Sequence, residues 1–283
     1  MLIMFVNNLH VSKRSAVFLQ QFFSFRKQSA SAVPDSKIEN ELLNNQEHES
    51  HSENISGPLY RDHIPTSFLQ KALLTIGSSV LCITDPFRHD MIAVFGETTG
   101  YASAKQIREK MLNDPEGSTI LNDKPRINSN TLDYKFLATL PHGTLGQAYL
   151  AFLKDNNVTP DSRRQVHFVD DPDLAYVIQR YREVHDLNHT LLGMPTNMLG
   201  EVAVKWIEAM QLGLPMCVSA ALLGPVRLRK KQREKYLKYY LPWAVNCGYE
   251  AKFLMNVYFE KRWEQDVYEL RRELNIPDFP VEC

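Results

Sequence analysis

DPDLAYVIQRYREVHDLNHTLLG, residues Asp171–Gly193, is the longest clean helical pattern in the chain. Asp171 or Asp173 suits the N-terminal cap, and Gly193 followed by Pro195 supplies the stop. The same reading extends outward on both sides. PTSFLQKALLTIGSSVLCI (Pro65–Ile83) predicts a helix opening at Thr66 or Ser67, and ASAKQIREKMLND (Ala102–Asp114) stops before Pro115. TLGQAYLAFLKDN (Thr144–Asn156) carries Leu145, Ala148, Tyr149 and Phe152 on one stripe. The C-terminal stretch Arg233–Leu274 reads as helix broken around Pro242 and Gly248. Strand-like alternation is rare and Asn-Gly or Asp-Gly hairpin turns are absent. The expected fold is all-α: a single mostly helical domain, residues 58–283, with no internal repeat.

The 283 residues are 44% hydrophobic and 23% charged, enough for a sizeable core. A formal net charge of −1 carries no whole-molecule signal for nucleic acid, so no nucleic-acid partner is expected. Cys82, Cys217, Cys247 and Cys283 are scattered without a CxxC pair and read as thiols in a reducing compartment. No run of about 20 apolar residues offers a membrane span. Leu212–Val226, interrupted by Gly213, Pro215, Gly224 and Pro225, reads as a core helix. Residues 1–34 carry Lys13, Arg14, Arg26 and Lys27 and no acid. Positive, Ser-containing and amphipathic, they have the composition of a mitochondrial transit peptide, or else of a disordered basic tail. Residues 35–57 are polar, acidic and aromatic-free, as a disordered linker would be.

The end of the long helix and the stretch after it, HDLNHTLLGMPTNMLGE (His185–Glu201), carry the chemistry. At about 100° per residue, His189 lies roughly 40° from His185, Arg182 roughly 60° and Asp186 roughly 100°. A four-residue step brings two imidazoles together, as on an HExxH zinc helix. One helix cannot surround an ion. GMPT turns the chain, and Glu201 on the next helix can face back across the gap. His185, Asp186, His189 and Glu201 are the candidate ligands. Two imidazoles and two carboxylates suit Zn2+, and Fe, Mn or Co accept the same donors. The competing reading makes no site: Asp186 pairs with Arg182, Glu201 with Lys205, and the histidines are ordinary core or surface residues.

HDxxHxxxGxPTNxxGE, together with FVDDPDLAYVIQRYREVHD and PHGTLGQAYLAFL before it and VKWIEAMQLGLPM and YFEKRWE after it, resembles the fourth of the Coq series of mitochondrial coenzyme Q (ubiquinone) biosynthesis proteins. The resemblance spans roughly residues 60–280. It implies a peripheral protein on the matrix side of the mitochondrial inner membrane, in a multisubunit complex with other coenzyme Q biosynthesis proteins, and a homodimer. It also implies a divalent metal, usually zinc, on His185, Asp186, His189 and Glu201. The implied activity is at C1 of a 4-hydroxy-3-methoxy-5-polyprenylbenzoate, where the carboxyl group is removed, with or without hydroxylation. A non-catalytic, lipid-binding scaffold of the complex is the alternative.

The chemistry suits such a substrate. Protonating C1 makes a dienone stabilised by the para oxygen, and carbon dioxide then leaves. Such a site needs an acid near C1 and positive charge over developing negative charge. Arg182 is a candidate clamp for the substrate carboxylate, and the proton donor is a metal-bound water or one of the acids held protonated, Asp186 among the candidates. Leu191, Leu192, Met194, Met198, Leu199 and the Leu212–Leu223 run line a greasy path or are plain core. VRLRKKQREKYLKYY (Val226–Tyr240) concentrates Arg229, Lys230, Lys231 and Arg233 ahead of tyrosines. It reads as a headgroup-binding segment on an anionic lipid surface, or as a solvated helix face.

Overall fold

A computed structural model of the chain describes residues 58–84 and 88–280. The expected transit and linker segments, residues 1–34 and 35–57, lie outside the described residues. The chain divides into two compact units, Met1–Pro58 and Leu59–Cys283, and all described residues but Pro58 belong to the second. Its helices, in order, are α1 (Phe68–Thr84), α2 (His89–Thr99), α3 (Tyr101–Leu112), α4 (Pro115–Asp123), α5 (Tyr134–Thr139) and α6 (Leu145–Asn156). There follow α7 (Pro172–Leu192), α8 (Met198–Leu212), α9 (Pro215–Leu223), α10 (Lys230–Lys235), α11 (Leu241–Glu250) and α12 (Val267–Glu273). Among the described residues there is no strand, only one isolated bridge between Thr144 and Asp266. The class is all-α.

Several of these helices start at a capping side chain. Ser67 opens α1 through a reciprocal pair: its N–H donates to Gln70 Oε1 at 2.8 Å, and Gln70 N–H donates to Ser67 Oγ at 3.4 Å. The Asp114 carboxylate accepts from Gly117 N–H, with Pro115 in the first turn of α4. Asp171 caps α7, accepting from the N–H groups of Asp173 and Leu174. Asp173 sits inside the first turn and pairs with Lys124 and Arg108.

Helix α7 is the axle of the unit: 18 of its 21 residues are buried, so it is surrounded rather than laid on a surface. It packs against α3, α6, α8 and α12. Being enclosed, its charged residues need partners inside the protein. Arg180, fully buried, pairs with Glu260 and donates to the Val257 carbonyl. Glu183 accepts from Arg126 and from Ile127 N–H.

The C-terminal expectation needs correction. From Lys230 the chain runs through α10, one π-helical segment (Tyr236–Tyr240) and α11 without a break at either Pro242 or Gly248. Pro242 falls in the first turn of α11, after the π segment, where its missing N–H and fixed φ are tolerated. Gly248 lies inside α11 because α8 passes against it. A Cβ there would stand 2.9 Å from Met210 Sδ and 3.4 Å from Ile207 Cα. The helical run ends after Glu250 and gives way to 3-10 turns at Leu254–Asn256 and Phe259–Lys261.

Candidate metal centre

The turn from α7 to α8 positions the site. Gly193 has φ +65°, and Met194 N–H donates back to the His189 carbonyl at 3.0 Å, which ends α7 in a left-handed cap. Asn197 then caps α8 by accepting from Leu199 and Gly200 N–H. Gly200 allows the first turn of α8 to lie on the Pro195 backbone: a Cβ there would be 2.0 Å from the Pro195 carbonyl oxygen. That close approach sets where the next residue, Glu201, points.

His185, His189 and Glu201 converge, with one donor atom of each lying within 4.8 Å of the others. Glu201 Oε1 is 3.4 Å from His189 Nε2, and Glu201 Oε2 is 3.6 Å from His185 Nε2. Both separations exceed a good hydrogen bond. The other ring nitrogens are engaged elsewhere: His189 Nδ1 lies 3.0 Å from the Met194 carbonyl, and His185 Nδ1 lies 2.6 Å from Glu208 Oε1. A carbonyl and a carboxylate only accept, so each Nδ1 carries the proton and each Nε2 offers its lone pair inward. His189 Nε2 is buried and has no hydrogen-bond partner. Two lone pairs and a carboxylate facing one another repel unless a cation lies among them. The donor set therefore fits a divalent metal.

Without a cation, imidazolium protons would face the Glu201 carboxylate instead. Burial alone would raise the Glu201 carboxyl, but His185 and His189 outweigh it and hold it well below the usual carboxylate range. Burial would lower His185, yet the Glu208 carboxylate outweighs burial and raises it. Glu208 is itself held low, against burial, by His185 and Lys205. The histidines are 5% and 1% exposed while the Glu201 side chain is 35% exposed, so the cluster opens outward along Glu201.

Of the four expected ligands Asp186 does not converge with the other three, and Arg182, the expected clamp, is engaged elsewhere. Asp186 is buried, but its carboxylate turns to Arg163, which forms an ion pair with it and comes from the loop before α7. Asp186 is not among the three converging donors. Nor does it pair with Arg182. Arg182 reaches instead to Glu97 Oε1 at 2.7 Å and to the carbonyls of Ala93, Arg164 and Gln165. Its guanidinium is a structural tie between α2, α7 and the preceding loop, with both terminal nitrogens already in use. Lys205 pairs with Glu208 at 2.7 Å rather than with Glu201.

Sequence reasoning missed Arg163, Glu208 and the redirected Lys205. Arg163 has no local signal. Glu208 had one: Glu201, Lys205 and Glu208 stand at i, i+4 and i+7 and share one face of α8. Around the site, Leu191, Leu192, Met194, Leu199, Leu212, Cys217, Val218 and Ala221 are buried as core. Arg229, Lys230, Lys231 and Arg233 are exposed, and exposed Leu222, Leu223 and Val226 precede them. No described helix is long and apolar enough to cross a membrane.

Residues 60–280 match the family model for coenzyme Q (ubiquinone) biosynthesis protein Coq4. A Danio rerio protein named ubiquinone biosynthesis protein COQ4 homolog, mitochondrial, is 56% identical over 229 residues, covering 81% of this chain and 84% of that protein. The Homo sapiens protein of the same name is 54% identical over 226 residues, covering 80% and 85%. A solved crystal structure from Nostoc punctiforme shares the fold with a TM-score of 0.58 at 20% identity, over 76% of this chain and all of that one.

Proposed function

This chain belongs to the coenzyme Q (ubiquinone) biosynthesis protein Coq4 family, and from that premise we propose that it is a metal-dependent lyase removing the C1 carboxyl of a 4-hydroxy-3-methoxy-5-polyprenylbenzoate. One observation carries the reading. Three protein donors, His185, His189 and Glu201, converge on one point, while Asp186 is turned to Arg163. Three-donor sites that open on one side are the catalytic kind, whereas structural zinc is usually closed by four.

His185 Nε2, His189 Nε2 and Glu201 would hold the ion, which supplies Lewis-acid stabilisation of negative charge developing on the substrate oxygens. Zinc suits the donors, as do iron, manganese and cobalt. Arg163, rather than Arg182, is the guanidinium available to the substrate carboxylate. On exchanging Asp186 for that carboxylate, it frees Asp186 to take a proton from solvent and pass it to C1. The C1–carboxyl bond then breaks, its electron pair returns to the ring, and carbon dioxide departs. No oxidant is needed for this step. The exposed apolar residues Leu222, Leu223 and Val226, followed by Arg229, Lys230, Lys231 and Arg233, suit docking on an anionic bilayer. A polyprenylated substrate resides there. The relatives' names place them in mitochondria, and we assign the same address to this chain.

The test uses purified protein with a short-chain analogue of the methoxylated hydroxybenzoate. Carbon dioxide release is expected from the metal-loaded protein, with a loss of roughly 100-fold or more on metal stripping or in Glu201→Gln. Metal-loaded, folded protein that releases no carbon dioxide would leave the scaffold alternative standing and end the lyase reading.

A further inference from the structure

Behind the metal donors lies a second buried cluster that the proposed reaction does not use. Glu208 is 3% exposed on α8. Its Oε1 accepts from His185 Nδ1 at 2.6 Å. Its Oε2 accepts from Lys205 Nζ at 2.7 Å and from the Tyr181 hydroxyl at 3.0 Å, with Cys217 Sγ at 3.7 Å. Lys205 Nζ also lies 3.3 Å from His185 Nδ1, a position it reaches while bound to the same carboxylate.

We propose that Glu208, clamped by Lys205, is a positioning residue that presents His185 to the cation through Nε2. The inference rests on the metal reading of His185, His189 and Glu201. A buried carboxylate is a costly way to orient a ring unless something neutralises it, and Lys205 does so from the same helix face. The two imidazoles are thereby made unequal. His189 is oriented by the neutral Met194 carbonyl, which fixes its tautomer and little more. His185 is backed by an anion, which fixes the tautomer and also raises the basicity of the ring as a ligand. Lys205 offsets most of the added charge, so the carboxylate acts on the ring and not as a further anion at the cation. Spacing within α8 makes the device compact: Glu201 faces the cation side of the imidazoles and Glu208, two turns on, faces the back of one of them.

A purely structural buried network makes a different forecast. In that case, removing any partner of the Glu208 carboxylate costs folding stability, and metal affinity follows stability alone. The experiment uses the full chain and cobalt or zinc alone, without substrate. Cobalt titration should show Glu208→Gln binding about 10- to 100-fold more weakly than the natural protein. Tyr181→Phe loses a hydrogen bond to the same carboxylate but leaves the His185 bond in place, and it should stay within about threefold of the natural protein. Nitrogen-15 NMR of the zinc-loaded natural protein should show His185 with its proton on Nδ1 and the metal on Nε2. That measurement decides the matter even where a Glu208 variant does not fold. Zinc on Nδ1, no zinc binding at all, or equal cobalt affinity in Glu208→Gln overturns the proposal. A metal-loaded protein that passes these tests yet releases no carbon dioxide overturns the lyase reading and leaves this inference in place.

Discussion

His189 Nε2 is buried, unpartnered and 3.4 Å from a carboxylate oxygen, an arrangement a folded protein does not keep without a reason. The Arg182–Glu97 pair, which joins α7 to α2, shows how such groups are otherwise satisfied. Glu97, 5% exposed, accepts from Arg182 and from the N–H groups of His167 and Phe168. Arg182→Met strands that carboxylate and should lower unfolding stability by about 3–5 kcal/mol, read from urea midpoints. Glu97→Gln keeps an acceptor and should cost less. Equal stabilities for Arg182→Met and the natural protein would contradict the assignment of Arg182 to the scaffold. Helical spacing placed Arg182 within reach of Asp186 or of a ligand, and packing against α2 settled it elsewhere. A side chain of that length samples a wide arc, and α2, seventy or more residues upstream, is not visible in a local pattern.

At the scale of the element, the α7–turn–α8 unit was the most legible part of the chain. Asp171, Gly193 and Pro195 are boundary residues whose chemistry is local, so their roles follow from type and position. Asp171→Ala removes the acceptor for two N–H groups and should cost about 1 kcal/mol, measurable by thermal melting of the metal-free protein. Gly200 bears more directly on the site. The Cβ of Gly200→Ala would lie 2.0 Å from the Pro195 carbonyl oxygen, against backbone that cannot swing aside. The first turn of α8 must move, and Glu201 with it. We expect the variant to retain its helical circular dichroism and to lose roughly tenfold or more in metal affinity, whereas Gly213→Ala, with no atom within 4 Å of its Cβ, strains only its own left-handed φ and leaves affinity unchanged. Matching affinities for the two variants would show that the Pro195 contact does not place Glu201. The C-terminal helix was less legible. Pro and Gly are read as breakers by default, but a π segment accommodates Pro242 and a helix crossing requires Gly248.

Across the whole molecule, tertiary contacts tie the ends of α7 to distant segments. Asp170 pairs with Lys71 on α1 and accepts from His63 Nε2 at 3.0 Å. Burial raises the Asp170 carboxyl, and the bonds from Lys71 and His63 outweigh it and lower it overall. A depressed folded value means the unfolded chain takes up the proton first. The stabilisation is therefore complete above the unfolded value of about 3.9 and is lost as pH falls through the folded one. Asp170→Asn should flatten the acid limb of a stability-versus-pH curve, with the two proteins converging at the lowest pH. Parallel curves would argue against the tie. The basic segment is tested on vesicles: Arg229→Glu with Lys231→Glu should weaken binding to anionic vesicles by about 1 kcal/mol per charge removed, and added salt should weaken the natural protein in the same way. Unchanged sedimentation with the vesicles would remove the lipid surface from the proposed function.

Helix α1 was read correctly as a helix, but its orientation was not legible: Leu69, Leu73, Ile76 and Val80 are exposed while Ser78 is buried. The hydrophobic pattern of one helix states which face is apolar, not which face the neighbouring helices reach. The same division runs through the candidate centre. The sequence by itself determined the all-α class, the ends of α7, and the pairing of His185 with His189, because a backbone period of about 3.6 residues brings such neighbours together whatever surrounds them. Only the tertiary structure decided that Asp186 faces Arg163, that Arg182 serves Glu97 and that Glu208 stands behind His185. Those partners are supplied by other segments of the chain, and which of them arrives is settled by how the helices pack.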